Sequence, residues 1–72
     1  MMTVRDVVRL LKPNEEITLY DSILGAWRTG VITKDYIPPA YLEWEVVGLQ
    51  TDLTGGGAPV IELDIKFEEV TL

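Results

Sequence analysis

The sequence predicts an α+β fold: one N-terminal helix packed on a four-stranded, mainly antiparallel sheet, with a short helical turn at about 38–42. Three observations predict it. A single apolar stripe of helical period opens the chain, four later stretches alternate or run apolar in the manner of strands, and a proline pair interrupts them midway. No internal repeat and no linker divides the chain, so residues 1–72 form one domain.

Thr3 to Lys12 reads as the helix. Val4, Val7, Val8 and Leu11 fall at i, i+3, i+4 and i+7, with Leu10 at the flank of that stripe. Thr3 serves as N-cap, Asp6 lies near the positive helix end, Arg9 and Lys12 lie towards the negative end, and Pro13-Asn14 stops the run. Three valines lower its intrinsic propensity, so this helix needs a sheet to pack on.

Glu16 to Asp21 alternates Ile17 and Leu19 against Thr18 and Tyr20, a first strand. Ser22 to Gly25 makes the turn, with Gly25 available for a positive φ. Ala26 to Lys34 is the second strand, where Gly30 marks a bulge or a close backbone approach. Glu43 to Asp52 is the third. Val60 to Phe67 is the fourth, with Ile61, Leu63, Ile65 and Phe67 on one face and Glu62, Asp64, Lys66 and Glu68 on the other. A one-residue slip would bury four charges, which fixes its facing.

Between the second and third strands lies IPPAYLEW, residues 37–44. Its Pro38-Pro39-Ala40-Tyr41 spells a P-P-x-Y peptide of the kind that aromatic grooves bind as an extended helix. Such a ligand needs a solvated, extended setting. Here β-prone residues flank the motif, and proline suits the first turn of a helix. The segment is therefore expected to be a connector that brings Tyr41, Leu42 and Trp44 to the core edge.

Composition narrows function chiefly by exclusion. The chain contains no cysteine and no histidine, which removes disulfides, thiolate or imidazole metal sites and nucleophile–imidazole catalysis. Ser22 is the only serine, and Lys12, Lys34 and Lys66 fall where ordinary surface lysines would. Catalytic residues, cofactors and metals are accordingly expected to be none, and the sequence argues against an enzyme. Glu62 with Asp64, and Glu43 with Glu45, pair two apart on strands, near enough for acid–base work or a hard cation, but a solvated sheet face explains them as well. Gly55-Gly56-Gly57 lacks the Lys-Ser/Thr of a phosphate loop and precedes a strand, so it reads as a hairpin loop and a candidate contact segment.

With 47% hydrophobic residues in 72, the chain has too little interior to hide its apolar surface, and a homodimer is expected. The net charge of −6 arises entirely after residue 40, where seven acids face Lys66 alone. That balance excludes direct binding to nucleic acid or an anionic membrane and leaves a basic partner open. No stretch approaches the length of a membrane span or carries a cleavage pattern, so a cytoplasmic location is expected, and the double methionine without a tag points to a complete short reading frame. Trp27 beside Arg28 has the composition of an interface anchor, although a core tryptophan under the helix fits the same position.

The order TVRDVVRLLKPNEEITLYD, GVITKDYIP and AYLEWEVVGL resembles a group of short proteins common in phages and prophages of Firmicutes. The likeness is carried by Tyr20-Asp21, Gly30, Ile37-Pro38, Leu42 and Glu45-Val46 and runs over nearly the whole chain. Pro39 and the Gly55–Gly57 loop depart from the pattern. The resemblance implies a mobile-element origin and a small α+β fold, and it implies no activity. The expectation is a self-associating protein-interaction module with contact candidates Trp27, Arg28, Glu43, Glu45, Gly55, Gly56, Gly57, Glu62 and Asp64. Its rivals are an anti-CRISPR-like inhibitor of a host nucleic-acid enzyme, with the acidic half imitating phosphate, and a carboxylate metal-binding or hydrolytic protein.

Overall fold

The computed structural model describes residues 1–53 and 57–67. Its elements are α1 (Val4–Val8), β1 (Glu16–Asp21), β2 (Ala26–Trp27), β3 (Ile32–Thr33), 3-10 turns at Lys34–Tyr36 and Pro39–Tyr41, β4 (Glu45–Leu53) and β5 (Pro59–Lys66). The α+β class holds, but the sheet has five strands and is mixed. Its order is β2-β1-β5-β4, with β3 pairing the other end of β1.

The sheet is mainly antiparallel, as expected, with one parallel pair at its centre. β5 pairs antiparallel with β4, as a hairpin must, yet it inserts beside β1 in parallel from Glu16↔Val60 to Asp21↔Ile65. A parallel pair needs a long crossover, and the chain from Ser22 to Ala58 supplies it. The result places β5 between two neighbours. Leu63 and Ile65 of β5, with Ile17 and Leu19 of β1, are fully buried beneath Val4, Val7 and Leu11.

The expected helix Thr3–Lys12 is shortened to one and a half turns. Its start is as read: Thr3 and Asp6 exchange capping hydrogen bonds, Asp6 N–H to Thr3 Oγ1 at 3.4 Å and Thr3 N–H to Asp6 Oδ2 at 2.9 Å. Two further end N–H groups, of Val4 and Arg5, donate to the carbonyls of Trp44 and Leu42. After Val8 the chain tightens, with Leu10 and Leu11 N–H reaching back only three residues to Val7 and Val8. That tightening leaves Leu10 exposed and still buries Leu11. The valine-rich helix gains from packing rather than length.

The expected strand Ala26–Lys34 divides into β2 and β3 because Arg28–Val31 leaves the ladder. Thr29 replaces the lost pairing: its Oγ1 accepts from Leu19 N–H at 3.1 Å and its carbonyl accepts from Thr18 Oγ1 at 3.0 Å. A Cβ at Gly30 would meet nothing within 4 Å, so close approach is not the reason for that glycine. Gly25 does need its freedom, with φ at +69° in the β1–β2 turn. Phe67, expected as the fourth core residue of its strand, lies past the end of β5; it is exposed and rests on Trp44 with ring centroids 5.2 Å apart.

The Pro-Pro segment is folded, as a connector should be. Tyr41 and Leu42 N–H donate to Pro38 and Pro39 carbonyls at 3.0 and 3.1 Å, and Tyr41 stacks edge-on against Trp44. Tyr41, Leu42 and Trp44 pack half-buried against the core.

Candidate functional site

The helix covers one face of the sheet. On the other, side-chain alternation lines up Thr18 and Tyr20 of β1, Val60, Glu62 and Asp64 of β5, and Gly48, Gln50 and Asp52 of β4 in paired positions. Tyr20 also pairs with Trp27, and their rings meet edge to face at 4.9 Å. The excursion Arg28–Val31 rises beside this face as a wall. Between the wall and the end of β4 lies an open groove of about 550 Å³, floored by Thr18 and Val60 and flanked by Trp27, Val31, Leu53, Asp52 and Glu62. Trp27 is 57% exposed and Leu53 68%. The groove is largely apolar, with Asp52 and Glu62 on its rim and Arg28 also among its lining residues.

Behind the rim the carboxylates of Glu62 and Asp64 stand together, as their spacing required. Gln50 Nε2 donates to Glu62 Oε2 at 2.7 Å and to Asp64 Oδ2 at 3.4 Å. Hydrogen-bond sharing with Asp64, then desolvation and the repulsion of the Asp64 charge, raise the Glu62 pKa above its ordinary value, against the lowering pull of Gln50. Asp64 Oδ1 is buried without a hydrogen-bond partner among the described residues. Gly48 makes the arrangement possible: a Cβ there would stand 2.8 Å from Asp64 Oδ2.

Glu43 and Glu45, grouped with that pair by sequence spacing, are separated by their bases. Arg5 Nη2 approaches Glu43 at 2.6 Å, and Lys66 Nζ approaches Glu45 at 3.8 Å. No three acidic residues converge as metal ligands would among the described residues. Arg28 lines the same groove as Trp27. Its guanidinium lies over the Trp44 ring at 5.5 Å and pairs with the buried Asp21, whose carboxylate also caps the turn by accepting from Ile23 and Leu24 N–H. Those backbone bonds, led by Leu24, and the guanidinium outweigh desolvation and hold the Asp21 pKa below its ordinary value. Gly57 takes φ +81°, and a Cβ there would meet nothing described within 4 Å, while Gly55 and Gly56 lie outside the described residues.

Ser22 Oγ donates to the Ile65 carbonyl at 3.0 Å, and Lys34 Nζ to the Leu11 carbonyl at 2.8 Å. The only hydroxyl nucleophile of its type is thus occupied in joining the turn to β5. Val31, Leu53, Asp52, Gln50 and Gly48 belong to the site and were not singled out by the sequence. Strand register places Gly48, Gln50, Asp52 and Leu53, the excursion between β2 and β3 places Val31, and no local pattern carries either.

No family model, curated protein or solved structure matches this chain. No helix among the described residues is long and apolar enough to cross a membrane.

Proposed function

We propose that this chain is a non-enzymatic protein-interaction module whose contact surface is the open face of the sheet. The observation that carries the proposal is the groove itself, where exposed Trp27, Val31 and Leu53 adjoin the carboxylates of Asp52 and Glu62. Trp27 sits in the short strand β2, and its edge contact with Tyr20 orients the ring, which reduces the side-chain entropy to be lost on binding. The partner that fits is a protein segment presenting an apolar side chain beside lysine or arginine. Occupation of Ser22 and Lys34 in structural hydrogen bonds supports the non-enzymatic reading. The likeness to short phage and prophage proteins of Firmicutes supports a mobile-element origin, with action in the bacterial cytoplasm.

Apolar surface also supports self-association. Among the described residues, twelve large hydrophobic side chains are exposed, too many for a small acidic chain to leave in water without consequence. A second reading, phosphate mimicry towards a host nucleic-acid enzyme, draws on Asp52, Glu62 and Asp64 sharing the open face. It requires that added DNA compete for the same basic target, which an apolar groove contact does not.

The test is capture from bacterial lysate followed by affinity measurement with the purified partner. Trp27→Ala is expected to weaken binding by about 30-fold or more, as removal of an interface anchor does, with thermal unfolding little changed because Trp27 is exposed. Equal retention by Trp27→Ala and by a Val31→Glu variant would refute the groove as the contact surface.

A further inference from the structure

Among the described residues, the outer edge of β4 is only half covered. Thr3 forms an antiparallel bridge with Glu45, Val46 N–H donates to Met2 carbonyl at 2.8 Å, and Val4 N–H donates to Trp44 carbonyl. From Val47 to Leu53 no described segment pairs with that edge. Open edges of this length are ordinarily guarded by lysine, proline or an inward charge. Val47-Gly48-Leu49-Gln50-Thr51 contains none of these, and Val47 and Leu49 are exposed.

We propose that a second copy of this chain pairs antiparallel with β4 about a two-fold axis at Thr51, joining two sheets into one. This rests on the self-association reading above and names the surface. Backbone direction selects the register. Val46 turns its N–H outward to Met2, and Val47 is the extra residue of the bulge between Val46↔Ile65 and Gly48↔Asp64. Alternation therefore resumes with Leu49, Thr51 and Leu53 directing their backbone groups outward. Leu53 N–H, which donates to the adjacent Asp52 carboxylate rather than across to β5, agrees with that direction.

An axis at Thr51 uses only this regular part of the edge and clears Met2–Thr3. It sets Leu49 opposite Leu53 of the partner subunit twice over, and Thr51 opposite its own copy. Gln50 then meets Asp52 of the partner subunit, an amide against a carboxylate. No acid opposes an acid, although each copy carries a net charge of −6. A basic or hydrophobic peptide from another protein would fit the edge less selectively, since it would not use this self-complementary order.

The chain's freedom from cysteine provides the test. Sedimentation over a concentration series is run with the wild type, Leu49→Lys and Thr51→Cys, each checked for fold by circular dichroism. The wild type is expected to reach twice the chain mass and Leu49→Lys to remain at one. Thr51→Cys is expected to form a disulfide-linked dimer on mild oxidation, because facing Cα atoms in such a pair lie about 5.5 Å apart. A wild-type dimer that survives Leu49→Lys and gives no Thr51→Cys cross-link overturns the edge pairing and leaves self-association standing. A wild type that remains monomeric at high micromolar concentration overturns both.

Discussion

Replacing Gly48 by alanine tests whether the open face is built as a set. The backbone there is not in the left-handed region, so a glycine-to-alanine change in extended chain would ordinarily help by about 0.5–1 kcal/mol. At Gly48 the new Cβ would stand 2.8 Å from Asp64 Oδ2, 3.3 Å from its Cβ and 3.5 Å from its Cγ. The carboxylate oxygen can swing away only by giving up its contact with Gln50, and the Cβ can move only with β5. Overpacking of this kind costs about 1–3 kcal/mol, so the net expectation is a loss of about 0.5–2 kcal/mol. In an Asp64→Ala background Oδ2 and Cγ are gone and only the Cβ at 3.3 Å remains, so the same change should be near neutral. The two sites should therefore couple by about 0.5–2 kcal/mol, within the range for neighbours in contact. Urea unfolding followed by the fluorescence of Trp27 and Trp44 reads all four variants at one protein concentration. A Gly48→Ala protein as stable as the wild type, whatever stands at 64, would refute the reasoning.

Two further outcomes follow from the same geometry. Gly25→Ala meets no severe contact but must hold φ at +69°, so it should lower stability by about 1–2 kcal/mol in the same urea assay, and Gly25→Asn by less. The pH dependence should have two opposed arms. Asp21 and Asp6, with pKa values lowered by backbone hydrogen bonds above all, contribute stability that is present above their ordinary value of 3.8 and lost as pH falls through the lower folded values. Glu62, with its pKa raised, contributes stability that is present below its ordinary value of 4.5 and lost as pH rises through the higher folded value. Asp21→Asn should thus be weakened at neutral pH and converge on the wild type in acid, while Glu62→Gln should flatten the loss above pH 4.5. Melting curves from pH 2 to 8 check both arms, and parallel curves for all three proteins would contradict the assignment.

Much of the fold was legible because it rests on local period. Ile17 and Leu19, then Ile61, Leu63 and Ile65, alternate so regularly that their strands and their buried face follow from the residues alone. Thr3 with Asp6 marks the helix start, and Pro38-Pro39 marks the turn. The helix end was not legible, since Arg9–Leu11 continues the apolar stripe in a tighter winding that the same residues satisfy. Nor was the break at Arg28–Val31, where the hydroxyl of Thr29 substitutes for a ladder bond in a sequence that otherwise suits a strand.

The sequence by itself determined the absence of imidazole and thiol chemistry, the acidic second half, the strand that had to be buried and the spacing of Glu62 with Asp64. Only the tertiary structure decided which strands are neighbours. Insertion of β5 beside β1 is a choice between pairings of similar local merit, made where Ile17, Leu19, Leu63 and Ile65 bury most area together under α1. From that choice come the groove between Trp27 and Leu53, the notch that Gly48 leaves for Asp64, and the edge of β4 that no described segment covers. Each depends on contacts across tens of residues, and alternation within one strand cannot specify its partner.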